Sequence, residues 1–175
     1  MGHFASWAAI IIAPTQRIVL IAENTKRAQE AYNRLIRVGL TQVIGYSVAN
    51  EAEWRGQGLE LASISMKRCD EIVRALYSGT SMQLIDVRSW AEWLKGHLPG
   101  AISLPLLDLG PTRRPVNLSK PSLIYCHEGS RATTAASILL QENGGAIGIL
   151  MDGIEGWSAL GLPLETQDKL SSVRR

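Results

Sequence analysis

Residues 122–133 read SLIYCHEGSRAT, and the rest of the chain is organised around this stretch. An apolar run ends at Cys126, a short loop containing Gly129 follows, and a helix-favouring run begins after Arg131. This order predicts a strand, a tight loop that opens on a cysteine, and a helix. The unpaired N–H groups of the first helical turn and the positive end of the helix dipole favour an anion in such a loop. We therefore expect Cys126 to be ionised and nucleophilic at neutral pH, provided that the loop amides turn inward and the sulfhydryl is accessible.

The composition limits the class of protein. The 175 residues are 46% hydrophobic, which is enough to bury a core in one large domain or in one domain and a fragment. A formal net charge of +2 gives no electrostatic case for nucleic acid. The apolar start of the chain is far shorter than the roughly 20 residues that a membrane span needs. Two cysteines, Cys69 and Cys126, are too few for a disulfide scaffold or a zinc site, so we expect a reducing, cytoplasmic compartment.

Apolar runs alternate with helical periodicity along the chain. Short strands are predicted at residues 18–22, 43–46, 83–87, 101–104, 123–125 and 146–150. The first of these runs is typical of a strand that is covered on both faces, and residues 4–12 before it are expected to form a short buried helix. Strands that alternate with helices at this spacing predict an α/β fold with an open parallel sheet flanked by helices.

One predicted helix carries the second cysteine. Residues 66–77 show helical spacing of apolar side chains, and Ser65 is placed to cap the helix. Cys69 falls on the apolar face of this helix. It is therefore interpreted as a small buried hydrophobe.

The chain contains an internal repeat. When residues 18–35 are aligned with residues 122–139, Arg27 matches Arg131, and further matches follow downstream. The residue opposite Cys126 is Ala22, so the first copy keeps the strand, loop and helix but has no nucleophile.

The first copy is also incomplete. No residues upstream of it correspond to the strand at residues 83–87 or to the turn at residues 96–100. Residues 1–61 are therefore interpreted as a degenerate half domain, residues 62–166 as a complete domain and residues 167–175 as a tail. The half domain can pack against the second copy, pair with another chain as a homodimer, or have its front half outside the given sequence.

Four groups of residues give the chain a resemblance to the rhodanese family of sulfurtransferases. They are Ile85-Asp86-Val87-Arg88 with Glu92-Trp93, Gly96-His97-Leu98-Pro99-Gly100-Ala101, Cys126…Gly129…Arg131, and Asp152-Gly153…Trp157…Gly161-Leu162-Pro163. The resemblance covers residues 62–166 fully and residues 4–60 as a degenerate partial copy. It implies a rhodanese-like open parallel sheet, preceded by a partial rhodanese-like copy.

The combination of a partial and a complete copy further resembles the C-terminal tandem rhodanese part of bacterial fusions with a metallo-β-lactamase-like hydrolase. The histidines of this chain are His3, His97 and His127, which form no histidine-rich metal motif. Any metal-dependent chemistry is therefore expected on another polypeptide or segment. The resemblance implies neither a metal nor another cofactor here.

The resemblance implies a sulfurtransferase in which Cys126 is the nucleophile. Its thiolate attacks the outer sulfur of a donor, which is a small sulfur-containing anion such as thiosulfate or a low-molecular-weight persulfide. A persulfide remains on the cysteine, and a thiol or cyanide acceptor takes the sulfur, giving ping-pong kinetics. The expected partners are these small molecules, with neither nucleic acid nor a membrane.

The residues that follow the cysteine are expected to bind the substrate. Gly129 permits a positive φ so that the backbone wraps the sulfur, and Ser130 caps the helix and donates to the persulfide. Arg131 either holds departing sulfite oxygens or braces the loop. His127 and Glu128 project from the rim and tune the choice of acceptor, or they are solvated without a role. The charge of Glu128 disfavours a strongly anionic donor such as thiosulfate.

Two further residues are expected to support the loop from another segment, and a third is expected to hold a turn. Asp86 and Arg88 follow a parallel strand at the sheet edge where such folds place their sites. The alternative is that they form an internal ion pair or turn hydrogen bonds. His97 is expected to lock the turn at residues 96–100.

Loop length bears on the competing functions. Cys126 and Arg131 enclose four residues, whereas related phosphatases enclose five and so hold a tetrahedral phosphate; persulfide chemistry is therefore favoured over phosphoryl transfer. A second alternative is a persulfide carrier without turnover, serving a partner or fused metallo-hydrolase. A third is a thiol redox sensor, which the lack of an evident resolving cysteine weakens.

Overall fold

The computed structural model describes residues 4–109, 119–143 and 146–166, and of residues 142–143 it describes the backbone only. The predicted tail and residues 110–118, which precede the strand that ends at Cys126, lie outside these ranges. The chain divides into two units, Met1–Ala62 and Ser63–Arg175. The interpretation of the first unit as a degenerate rhodanese-like half remains a prediction.

The first unit is built on two parallel strands, β1 (Ile18–Ala22) and β2 (Val43–Val48). Helix α2 (Thr25–Arg37) connects them, helix α1 (Phe4–Ile11) precedes them, and the short helix α3 (Glu51–Gly56) follows. The unit has a small apolar core of Ile18, Leu20, Leu35 and Leu40. One face of β1 therefore packs against α2.

Two predictions about the first unit are wrong. Helix α1 is present, but none of its residues is buried. Strand β1 is covered on one face only, because Val19 and Ile21 on its other face are 57% and 64% exposed. The reason is that α1 and α2, in the described part of this unit, pack on the face that carries Ile18 and Leu20.

The second unit contains a five-stranded parallel sheet in the order β3-β7-β6-β4-β5. Its strands are β3 (Ser65–Lys67), β4 (Gln83–Asp86), β5 (Ile102–Ser103), β6 (Ser122–Tyr125) and β7 (Ile147–Leu150). Strand β6 lies in the centre, and all four of its residues are buried. The predicted α/β fold with an open parallel sheet is confirmed.

The helices of the second unit are α4 (Cys69–Tyr77), α5 (Trp90–Lys95), α6 (Ser130–Asn143) and α7 (Gly153–Ala159), with a short 3-10 helix at Leu106–Asp108. They flank the sheet and complete a buried cluster that includes Cys69, Tyr125 and Trp157. The described helices of the chain include none long and apolar enough to cross a membrane.

The predicted start of the helix at residues 66–77 is wrong. Ser65 and Met66 lie in β3, which pairs with β7, and α4 begins only at Cys69. An apolar residue three positions before Cys69 fits helical spacing as well as a short strand, so periodicity alone could not separate the two. Cys69 itself is buried, as expected.

The order of the strands positions the site. Strands β4 and β6 pair in parallel, with Asp86 opposite Tyr125. The residues that follow these two strands therefore meet at one edge of the sheet, the edge at which parallel α/β folds place their sites.

Candidate active site

The loop at residues 126–129 joins the central strand to helix α6. Gly129 has φ of +92°, and a Cβ added there would lie 2.8 Å from the carbonyl oxygen of Met151, so only glycine fits without a shift. The Gly129 N–H donates to Sγ of Cys126 at 3.1 Å. This amide turns inward onto the sulfur, as the sequence predicts.

The start of α7 shapes the other side of the loop. The N–H of Ile154 donates to the carbonyl oxygen of Cys126 at 3.0 Å. Gly153 has φ of +54°, and a Cβ there would collide with the carbonyl oxygen of His127. The loop carbonyls thus face α7, which leaves the Gly129 amide free to face the sulfur. Sequence reasoning gave Gly153 no role, although the Asp152-Gly153 pair was the available signal.

The accessibility of the thiol differs from the prediction. Cys126 is completely buried, so the sulfhydryl does not open directly to solvent in this conformation. The neighbouring His127 and Glu128 are exposed, as expected for rim residues.

Arg131 is held by a carboxylate from helix α5. Its Nη1 and Nη2 each donate to a different oxygen of Glu92, both at 2.8 Å. These hydrogen bonds lower the pKa of Glu92 to about 2 and raise the pKa of Arg131. Of the two roles predicted for Arg131, this geometry favours bracing of the loop.

Glu92 was not among the site residues predicted from the sequence. It forms a capping box with Ser89, whose N–H and hydroxyl both donate to the Glu92 carboxylate. The Ser89–Glu92 spacing was therefore a readable signal for a helix start. The second role of Glu92 is to accept hydrogen bonds from Arg131. This role depends on how close α5 lies to α6 in the folded protein.

Ser130 does not cap helix α6. It is the first residue of the helix and is exposed, and the N–H of Thr133 bonds to the carbonyl oxygen of Gly129 at 3.0 Å. Gly129 therefore occupies the capping position. The cap was expected at Ser130, one residue later. Position 129 requires a positive φ, which explains why it is a glycine and not a residue with a capping hydroxyl.

Asp86 and Arg88 form the internal ion pair that the sequence left as an alternative. Nη2 of Arg88 lies 2.6 Å from Oδ2 of Asp86 and also donates to the carbonyl oxygen of Gly96 at 2.7 Å. Both residues are buried. The pair connects the end of β4 to the turn that follows α5.

The Arg88→Ala variant is expected to lower the free energy of unfolding by about 3–5 kcal/mol, because it leaves the Asp86 carboxylate buried without its partner. The matched control is Arg74→Ala, which removes an equally short but exposed pair with Asp70 and should cost less than about 1 kcal/mol. Urea unfolding of both variants measures the difference. If both variants lost the same free energy of unfolding, burial of the Asp86–Arg88 pair would not be the cause of its larger contribution to stability.

His97 holds the turn at residues 96–100. Its ring is buried, its Nδ1 lies 3.0 Å from the carbonyl oxygen of Trp93, and its backbone pairs with that of Glu165. These contacts fit the structural role expected for His97.

A cleft of about 590 Å³ opens beside the rim of the loop. Lys95, His127, Glu155 and Ser158 are among the residues that line it. Nδ1 of His127 lies 3.4 Å from Oε1 of Glu155, and both side chains are more than half exposed. The cleft offers polar groups of both charge signs next to the residue that follows Cys126.

No group of three or more histidine, cysteine or acidic side chains suited to a metal ion occurs in the described ranges. The arrangement instead combines a buried cysteine, an inward amide and a braced arginine.

Comparison with known proteins identifies the class to which this fold and loop belong. The model of the rhodanese-like domain matches residues 70–160, just over half of the chain. The chain belongs to the rhodanese family.

Individual relatives match the same part of the chain. A sulfurtransferase of Allochromatium vinosum is 32% identical over 81 residues, which cover 46% of this chain and 76% of that protein. A putative sulfur carrier protein of Bacillus subtilis, YrkF, is 27% identical over 81 residues, which cover 46% of this chain and 44% of that protein. This chain thus spans about three quarters of the first relative and less than half of the second.

A solved structure supports the fold. The crystal structure of a rhodanese-related protein from Thermoplasma volcanium matches with a TM-score of 0.53 and 21% identity. The match covers 59% of this chain and 99% of that one. At this identity the likeness concerns the fold alone.

Proposed function

We propose that this chain is a sulfurtransferase that carries a sulfane sulfur as a persulfide on Cys126. The observation that carries the proposal is the Gly129 N–H directed at Sγ of Cys126 at 3.1 Å. An amide in this position stabilises negative charge on the sulfur and on a persulfide formed there. Membership of the rhodanese family and the names of the sulfurtransferase and sulfur carrier relatives support the same chemistry.

The transfer proceeds in two displacements. The Cys126 thiolate attacks the sulfane sulfur of the donor, a new S–S bond forms, and the donor's own S–S bond breaks. The electron pair leaves with sulfite or with the donor thiolate. An acceptor thiolate or cyanide then attacks the outer sulfur, and Cys126 departs as a thiolate ready for another cycle.

A persulfide donor suits the charges of the site better than thiosulfate does. The guanidinium groups of Arg88 and Arg131 already pair with carboxylates, and Glu128 adds a further negative charge at the exposed rim. A dianion therefore meets two paired guanidinium groups and the carboxylates of Glu128 and Glu155, with Lys95 as an exposed cation in the cleft. We propose a low-molecular-weight persulfide as donor and a small thiol as acceptor, which approaches through the cleft lined by Lys95 and His127.

Mass spectrometry of the wild-type protein after donor treatment tests the proposal. We expect one added sulfur atom on the peptide that contains Cys126 and none on the peptide that contains Cys69. The second cysteine is a built-in control, because burial and the nearby charge of Asp152 raise its pKa to about 11 and keep its thiol protonated at neutral pH. Sulfur on Cys69 alone, or on neither cysteine, would overturn the proposal.

A persulfide carrier without turnover is the second proposal, and the complete burial of Cys126 favours it. A covered persulfide is protected from small acceptors until a partner displaces the cover. The partner would be a metallo-hydrolase, either fused to this chain or separate. Stoichiometric loading of Cys126 without thiocyanate formation from thiosulfate and cyanide, and without transfer to small thiols, would identify a carrier.

A further inference from the structure

The first unit leaves an apolar surface uncovered. Val19 and Ile21, on the face of β1 opposite Ile18 and Leu20, are 57% and 64% exposed. Parallel strands are normally buried on both faces, and a sheet of only two strands is marginal in water. Helix α1 lies on the other face of β1, where its Ala8 packs against the core, but none of its residues is fully buried.

Strand β1 also has an open edge. In the described part of the first unit, β1 pairs with β2 along one edge only. The counterpart of β1 in the repeat is β6, which lies between β7 and β4. A cleft of about 560 Å³ runs along β1, where Phe4, Ala8 and Ile12 line it with the residues of the strand. An additional strand would fill this cleft.

Strand β1 lacks the residues that usually prevent pairing at an exposed edge. It reads IVLIA and contains neither a charge nor a proline. Exposed edges in soluble proteins are usually protected by such residues. The edge is therefore suited to a partner strand.

The charges that flank β1 select the partner. Arg17 precedes the strand, Glu23 follows it, and both are exposed. If two β1 strands pair antiparallel about Leu20, Arg17 of each lies opposite Glu23 of the other, and Val19 lies opposite Ile21. These four side chains alternate along the strand with Ile18, Leu20 and Ala22, so they share the uncovered face. Parallel pairing in register would instead place like charges together.

We propose that the first unit forms a homodimer with a second copy of this chain through antiparallel pairing of the two β1 strands. The dimer has a four-stranded sheet in the order β2-β1-β1-β2 with a twofold axis at Leu20. Its interface is isologous, so each Arg–Glu and Val–Ile pair occurs twice. Each copy inserts its β1 into the cleft beside the other's β1, where it covers apolar residues of α1.

A charge-exchange experiment tests the dimer and its register. Sedimentation velocity over a range of concentrations should show a dimer for the wild type. Arg17→Glu or Glu23→Arg alone should raise the dimer dissociation constant about tenfold, because each places two like-charge pairs at the interface. The double variant with both changes should return to the wild-type value, since it restores opposite charges.

The control variant is Arg37→Glu, which reverses an exposed charge at the end of α2 and should leave the dissociation constant unchanged. Circular dichroism checks that all variants are folded. A monomeric wild type would overturn the proposal. The pairing of β1 with β1 would also be overturned if the single charge reversals left the dimer dissociation constant unchanged, or if the double variant did not return it to the wild-type value. The measurement uses no sulfur chemistry, so its result is independent of the proposed enzymatic function.

Discussion

Replacement of Cys126 by serine is expected to abolish sulfur loading and to reduce sulfur transfer by at least about a thousandfold, the scale seen when a covalent nucleophile is removed. A serine hydroxyl at this position cannot form a persulfide. The added sulfur on the Cys126 peptide and the rate of transfer to a thiol acceptor measure the two effects. Far-ultraviolet circular dichroism establishes that the variant is folded.

The matched control for this variant is Cys69→Ala. Cys69 is also buried, but it lies at the start of α4, where its Sγ is 3.5 Å from the carbonyl oxygen of Gly153. Loading of Cys126 should persist in this control. If sulfur transfer survives Cys126→Ser and disappears with Cys69→Ala, the chemistry belongs to Cys69 and our proposal is wrong.

The Glu92→Gln variant is expected to slow sulfur transfer by about tenfold or more, because it releases the Arg131 guanidinium that braces the loop. It should also lower the free energy of unfolding at neutral pH by about 2 kcal/mol, as two charge-assisted hydrogen bonds are weakened. Single-turnover transfer rates and urea unfolding measure these effects. The conservative amide keeps the size of the side chain.

The pH dependence of the free energy of unfolding shows whether the stabilisation comes from the charge of Glu92 or from the shape of its side chain. Its pKa is about 2 in the folded protein and about 4.3 in an unfolded chain. The stabilisation is therefore present above about pH 4.5 and is lost as the pH falls towards 2. The stability difference between wild type and Glu92→Gln should shrink over this window.

A control comes from Glu71→Gln on α4, since Glu71 forms an exposed pair with Lys67. Its effect on stability should stay within about 0.5 kcal/mol. A loss as large as that of Glu92→Gln, or a Glu92 difference that is constant from pH 5 to pH 2, would refute the importance of the Arg131 pair.

Much of the fold was readable from local patterns. Short apolar runs and amphipathic spacing predicted the alternation of strands and helices, because burial in a parallel sheet requires such runs. The pattern failed at Ser65, where a three-residue strand precedes α4 too closely for periodicity to separate them. It failed again at β1, because an apolar run indicates that a strand can be covered, not that the cover is present.

The candidate site divides in the same way. The residues close to the cysteine in sequence, Gly129 and Arg131, could be predicted because a strand, loop and helix bring them near the sulfur. Glu92 contacts Arg131 across 39 positions of the chain. Gly153, which packs against the loop, belongs to a later helix, α7. Their proximity depends on how the helices pack on the sheet, which no local pattern encodes.

Residue types alone give the position of Cys126, the short loop that follows it and the alanine at the matching position near the start of the chain, since each depends only on which residue stands at a position. Three features depend on the three-dimensional fold: Arg131 pairs with Glu92, Asp86 pairs with Arg88, and Cys126 is buried. The physical reason is that charge pairing and solvent exposure are set by neighbours from distant segments, whereas chemical identity and backbone freedom belong to the residue itself.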